Sequence, residues 1–401
     1  MMRAIALILV PLLTACASIG PRGSGVEIAV AFDRDGERGA SASGIADPAT
    51  RRAATPDDPA RIASVSKLVV AIGVLRLVEQ GKLGLDADAS TYLGWRLRNP
   101  EFPGQSISLA QLLSHTASVR DHDDQYAIPL GGSLRAVLAD PDSWDQRHGP
   151  AEGYFTYSNL NFPIVVSIVE RVTGERFDWW IRREVIAPLG IDACFNWPSC
   201  SDSAVARAIV LTQHGKAVRD DLHGRRPDCP VVAASDGSCD LTRWRPGDNG
   251  ALFSPQGGLR ISARGLARIG RMLIGGGMID GRRILSRESV EALLAPRWTF
   301  DGANGDSEHG MWCRYGLASQ QIATSARGCR DDPGLPRGAW VGHSGEAYGL
   351  RSGLWIDRTS GTGISFIASG LDEAPPRGRS AFTAAEEKLF ARGVALGQQR
   401  P

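Results

Sequence analysis

The sequence predicts an α+β fold: one antiparallel sheet built from both chain ends, flanked by helices, with a mostly helical region inserted between them. Three observations lead there. Near the start, 26–32 is an apolar run of strand length, followed by the turn signal Asp35-Gly36 and a second strand of weaker pattern. Near the end, 340–345, 351–356 and 363–368 are short apolar runs separated by turn signals, the pattern of an antiparallel meander. Between these ends the apolar residues recur mainly at helical spacing.

Taken in order, the Pro- and Asp-rich piece 48–59 reads as a loop that delivers the chain to Arg61-Ile62-Ala63-Ser64-Val65-Ser66-Lys67. Apolar residues then fill nearly every position of 68–78, so a helix buried on most sides is expected, ending near Gly81. A loop at 83–93, a short helix at 108–115 and a weak one at 133–139 follow. Tyr157-Ser158-Asn159 opens a helical run at 162–172 that stops at Gly174, and 177–186 is amphipathic and closed by Pro188-Leu189-Gly190. The stretch 194–250 is rich in Pro, Gly and Asp and has little period. Helices are expected again at 263–274, 289–294 and, closing the chain, 383–396. There is no internal repeat and no nucleotide-binding loop. The expected division is a sheet part, about 26–80 and 285–400, and a helical part, about 81–284.

A chain of 401 residues with net charge +1 and 22% charged residues gives no electrostatic case for nucleic acid. Its first residues, Met1-Met2-Arg3 and an apolar run at 4–13, have the charged start and short hydrophobic stretch of a secretion signal. The run ends in Leu13-Thr14-Ala15-Cys16, which resembles the bacterial lipobox: residues 1–15 would be removed, Cys16 acylated, and 16–25 left as a tether to the membrane. A plain signal peptide is the alternative. Ser18 is compatible with outer-membrane sorting in a periplasm-facing envelope lipoprotein. The other cysteines, Cys194, Cys200, Cys229, Cys239, Cys313 and Cys329, fall into three close pairs along the chain and suggest nearest-neighbour disulfides in an oxidising compartment. No Cys-x-x-Cys or His-x-x-x-His spacing accompanies them, which speaks against a metal site.

Ser64 and Lys67 stand three apart at the start of the buried helix and would share one face. A serine hydroxyl is a poor nucleophile until something takes its proton, and a lysine can do so only when burial or nearby positive charge holds it neutral. Backbone N–H groups at the helix start could hold a developing oxyanion. Lysine is used sparingly, at Lys67, Lys82, Lys216 and Lys388, and arginine could not replace Lys67 in this role because it does not deprotonate.

Ser64-Val-Ser-Lys67, Tyr157-Ser-Asn159 and His343-Ser344-Gly345, in that order, resemble the serine β-lactamase and penicillin-binding-protein family. The likeness is nearest to the branch of class C β-lactamases, family VIII esterases and D-aminopeptidase-like hydrolases. Leu112-Leu113-Ser114-His115-Thr116, Ala187-Pro188-Leu189-Gly190, Gly257-Gly258-Leu259 and Tyr315-Gly316-Leu317 add signposts over roughly 25–396. The resemblance implies a β-lactamase/transpeptidase-like fold and a serine hydrolase that needs no metal or cofactor. It makes Ser64 the acylated nucleophile, Lys67 its partner in proton transfer, and Tyr157 a phenolate, favoured by nearby positive charge, that returns a proton to the leaving group. Asn159 would bond Lys67 and the acyl side, the N–H groups of Ser64 and Glu346 would form the oxyanion hole, and Gly345 would let substrate lie along the strand. His343 would line the pocket and donate to a substrate carbonyl or carboxylate, or simply complete the strand; His115 is read as structural. The family commonly has lysine where this chain has His343, and Glu346 adds a negative charge nearby; both tilt the expectation from penicillins towards small esters or amides. A D-alanyl-D-alanine carboxypeptidase or weak β-lactamase is the alternative, and a non-catalytic peptidoglycan-binding lipoprotein is the alternative of another class.

Overall fold

The structure, a computed structural model, describes residues 25–213, 216–218, 221–372 and 374–399. The expected leader, Cys16 and the tether up to residue 24 lie outside the described residues. Among the described residues, no helix is long and apolar enough to cross a membrane.

The main sheet is built from strands β1 (Glu27–Asp33), β2 (Glu37–Ser43), β3 (Trp298–Thr299), β4 (Arg314–Tyr315), β5 (Gln320–Gln321), β6 (Trp340–Ala347), β7 (Leu350–Asp357) and β8 (Thr362–Ala368). Their order is β3-β4-β5-β6-β7-β8-β1-β2, antiparallel throughout, so the N-terminal hairpin docks beside the last strand of the C-terminal meander. The expected sheet from both ends is present. Strands β3 to β5 extend it and carry no alternation that could announce them, being two residues each.

The helices that position the site are α1 (Ser66–Glu79), α2 (Leu109–Leu113), α3 (Asn161–Thr173), α4 (Ala263–Ile274) and α5 (Ala384–Gln398). Their ends follow local chemistry. Ser108 and Gln111 close a capping box on α2 and Thr383 and Glu386 one on α5, while α3 stops at Gly174 with φ 69°, where glycine lacks the Cβ that opposes left-handed backbone. Alternate residues of β1 enter opposite cores. Ile28, Val30 and Phe32 pack with Leu266 and Ile269 of α4, and Ala29 and Ala31 pack with Leu389 and Phe390 of α5. With both faces covered, the central strands read as continuous apolar runs. Helix α4 lies on the sheet, so the part of the chain packed there begins before residue 285.

The loop expected at 83–93 contains one helical turn, Ser90–Leu93. Within 194–250 only short elements form, and disulfides join Cys194 to Cys200, Cys229 to Cys239 and, further on, Cys313 to Cys329, the nearest-neighbour set. A small second sheet, Ala60–Arg61 with Leu259–Ile261 and Cys194–Phe195, carries the chain to Ser64.

Candidate active site

Ser64 lies in a 3-10 turn, Ala63–Val65, that runs directly into α1. Ile62 donates its N–H to the Leu259 carbonyl at 3.0 Å, and Ala63 then takes φ 50°, a left-handed backbone uncommon for a residue with a side chain. Such backbone persists only where its surroundings hold it. Here Ser66 does so, its hydroxyl donating to the Ala63 carbonyl at 2.6 Å and accepting from the Leu259 N–H at 3.1 Å.

Lys67 is completely buried at the next turn. Its Nζ donates to Ser64 Oγ at 2.9 Å, Asn159 Oδ1 at 2.8 Å and the Gln256 carbonyl at 2.9 Å. Three acceptors match the three protons of an ammonium. Burial nevertheless lowers its pKa to about 7, against the opposing pull of the Asp121 carboxylate. Near neutral pH a substantial fraction is therefore free amine, with a lone pair facing the Ser64 hydroxyl. The geometry can move a proton from Oγ to Nζ without relocating either group.

The loop before α3 supplies Tyr157 and Asn159, and its shape comes from two residues whose roles sequence reading missed or left general. Asp121 accepts hydrogen bonds from Ser158 Oγ at 2.7 Å, the Asn159 N–H at 2.7 Å and the Leu160 N–H at 3.0 Å, an anion at a helix start. His115, buried and held neutral by burial and by the nearby Lys67 charge, accepts from the Ser158 N–H at its Nδ1 at 3.1 Å. Its ring stacks on Tyr157 at 4.3 Å, and Trp312 stacks on the phenol ring at 4.5 Å. Tyr157 is thus clamped between two rings, with Lys67 Nζ 5.0 Å from its centroid.

The Tyr157 hydroxyl is buried and faces the Ser64 hydroxyl without a hydrogen bond of good geometry. Burial raises its pKa; the Ser64 hydroxyl favours ionisation, and the Glu308 and Asp121 charges oppose it. The expectation of a phenolate is therefore corrected: the resting group is a neutral phenol, able to give a proton rather than take one.

Strand β6 forms the opposite wall. It passes so close to the Ser64 turn that a Cβ on Gly345 would lie 2.2 Å from the Ile62 carbonyl oxygen and 3.2 Å from Ser64 N, so this position needs glycine. Pairing of β6 with β5 ends at Gly342. Ser344, Gly345 and Glu346 line the cleft together with Ser64 and Tyr157.

His343 does not reach the cleft: of its two expected roles, the structure shows the one that completes the strand and not the pocket-lining one. Its ring is fully buried, 6.2 Å from the Tyr157 ring. Nδ1 lies 2.5 Å from the Ser344 carbonyl and Nε2 2.8 Å from Tyr315 Oη. A carbonyl can only accept, so Nδ1 carries the proton and Nε2 accepts from Tyr315. Burial, and then the Lys67 charge, push its pKa down to about 3. Glu346 also differs from expectation, for its charge is paired with Arg351 at 2.6 Å. His122, His148, His223 and His309 are at least partly exposed, His309 at the rim of the cleft, and His214 lies outside the described residues.

The β-lactamase family model matches residues 22–388. Penicillin-binding protein 4 of Amycolatopsis lactamdurans is 26% identical over 351 residues, 85% of this chain and 80% of that protein. Esterase EstB of Burkholderia gladioli is 30% identical over 171 residues, 38% of this chain and 42% of its own length. Among solved structures, the octameric penicillin-binding protein homologue from Pyrococcus abyssi aligns with TM-score 0.64 at 19% identity, covering 94% of this chain and 74% of that one. The D-amino acid amidase of Ochrobactrum anthropi SV3 aligns with TM-score 0.62 at 20% identity, covering 93% and 95%. These structures share the fold of this chain. A family model spanning almost every described residue, over a sheet and helices of the same arrangement, makes this chain a member of the β-lactamase family of hydrolases.

Proposed function

We propose that this protein is a serine hydrolase that cleaves small esters or amides through an acyl-enzyme on Ser64. The observation that carries the reading is the 2.9 Å contact between Ser64 Oγ and a buried lysine whose pKa is lowered to about 7. In acylation the neutral Lys67 amine takes the Ser64 proton as Oγ bonds to the substrate carbonyl carbon. The carbonyl oxygen becomes an oxyanion held by the N–H groups of Ser64 and Glu346. Collapse breaks the bond to the leaving group, which departs with a proton from Tyr157, and Tyr157 recovers one from the Lys67 ammonium. Water then attacks the acyl-enzyme by the same path, with Lys67 taking its proton and Ser64 regaining one.

A fluorophosphonate should label Ser64 in protein lacking the leader. Ser64→Ala should lose both the label and p-nitrophenyl ester turnover; a mutant that labels and turns over like wild type sinks the reading. A D-alanyl-D-alanine carboxypeptidase or weak β-lactamase is the second reading, favoured by the length of the match to a penicillin-binding protein. Parallel assays with a D-Ala-D-Ala peptide and a chromogenic cephalosporin rank the two. We also place the protein in the cell envelope, anchored through acylated Cys16. The charged start, the short apolar run ending in Leu13-Thr14-Ala15-Cys16 and the three disulfides support this. Cys16→Ser should abolish incorporation of labelled palmitate.

A further inference from the structure

Two hollows of about 510 Å³ each meet at Ser64, room enough for a small organic group on either side. Tyr126, Val231, Val232 and Tyr348 line one; Tyr157, Trp312 and Arg351 line the other. Only the second is lined by Tyr157, the proton donor of the reading above, so the second is the leaving-group side on that reading.

Arg351 and Glu346 face one another across the β6–β7 ladder. Their side chains sit very differently. That of Arg351 is 7% exposed and that of Glu346 is 68% exposed, at the rim. The guanidinium donates to Glu346 Oε1 at 2.6 Å and to the Leu350 carbonyl at 3.0 Å. A second carboxylate, Glu386, stands 4.0 Å from Arg351 Nε, but it already accepts from the Thr383 N–H at 2.9 Å and hydroxyl at 2.8 Å. The cation is therefore fixed in the wall of the leaving-group hollow, and its close carboxylate partner is the one that solvent can reach.

We propose that the Glu346 side chain determines specificity: by holding Arg351 it excludes leaving groups that carry a carboxylate, and its removal makes Arg351 the receptor for one. An incoming carboxylate has to break the Glu346–Arg351 pair and lie beside the displaced Glu346 charge. A neutral leaving group does neither. Once Glu346 is neutralised, the planar guanidinium offers a carboxylate the paired donors that suit it. The inference rests on the proposed assignment of Ser64 and Tyr157 for its direction, but the binding of a carboxylate beside Arg351 can be measured without turnover.

The probe is 3-hydroxybenzoate, a phenol carrying a carboxylate, with phenol as its neutral control, titrated by nuclear magnetic resonance against folded protein. Glu346→Gln should bind 3-hydroxybenzoate at least tenfold tighter than wild type while phenol binding moves less than twofold. Glu346→Gln combined with Arg351→Met should lose the gain, and Arg351→Lys in the same background, a second variant in case methionine unfolds the wall, should keep part of it. Equal affinity in wild type and Glu346→Gln, or a gain that survives Arg351→Met, overturns the proposal. Turnover supplies the other arm. The ratio of kcat/KM for 3-carboxyphenyl phenylacetate to that for phenyl phenylacetate should rise at least tenfold in Glu346→Gln. A binding gain with no Ser64-dependent hydrolysis of either ester would leave the carboxylate site standing and remove the assigned nucleophile instead; an unchanged ratio with intact hydrolysis overturns the specificity role.

Discussion

Lys67 at the head of α1 and His343 on β6 are two buried nitrogen bases near Tyr157, 5.0 Å and 6.2 Å from its ring, and burial is the largest influence on both. The outcome differs because the starting points differ. An amine that begins at 10.5 is brought to about 7 and becomes a base matched to neutral pH. An imidazole that begins at 6.5 is brought to about 3 and becomes a neutral strut between Tyr315 and the Ser344 carbonyl. On the proposed mechanism the α1 side of the cleft supplies the proton acceptor, while the His343 ring on β6, out of the cleft, is a fixed scaffold.

The largest effect is expected from Lys67→Arg. Arginine keeps a charge near Ser64 and cannot deprotonate, so kcat/KM for an ester should fall by about 10³ or more, in the range seen when one member of a catalytic set is removed. Survival of activity would move the base elsewhere. Gly345→Ala comes next. Its Cβ would press on the Ile62 carbonyl and push β6 away from the Ser64 turn, and loss of one oxyanion donor costs about 10² to 10³ in kcat. A milder change is expected from His343→Gln, because the ring it replaces does not titrate in the working range. Its kcat/KM should drop less than about tenfold, the scale of one net hydrogen bond, with an unaltered pH profile.

Asp121→Asn acts on Lys67 through its electrostatic partner. The Asp121 carboxylate favours the Lys67 ammonium, so its neutralisation should lower the Lys67 pKa and move the acid limb of the pH–rate profile to lower pH. A limb that stays in place would mean the profile reports another group. On the proposed mechanism Lys67 must be unprotonated to act, so kcat/KM of the wild type should fall tenfold per unit as pH drops below about 7.

What could be read from the sequence follows how local each feature is. Ser64 and Lys67 are neighbours on one helix, and their contact is a matter of spacing three apart. The strands at both ends show themselves as apolar runs because both faces of the sheet are covered. The protonation of Tyr157 was not legible, since it depends on rings from 115 and 312 closing over it. Neither were Asp121, the Gln256 carbonyl or Arg351, which reach the site only through folding. His343 stands in a motif position, yet its direction is set by Tyr315 on another strand, and no spacing within the motif encodes that. A short signal for Asp121 existed in hindsight: it follows the Leu112 to Thr116 signpost closely and offers an anion near a helix start.

If burial turns Lys67 into a base at neutral pH, direct titration of its amine will show it. The chain has few lysines, so protein labelled with carbon-13 at lysine Cε gives a spectrum simple enough to assign with Lys67→Arg. One resonance, absent from that variant, should have its midpoint near pH 7. A Lys67 resonance that titrates with the others near the ordinary lysine value would contradict it.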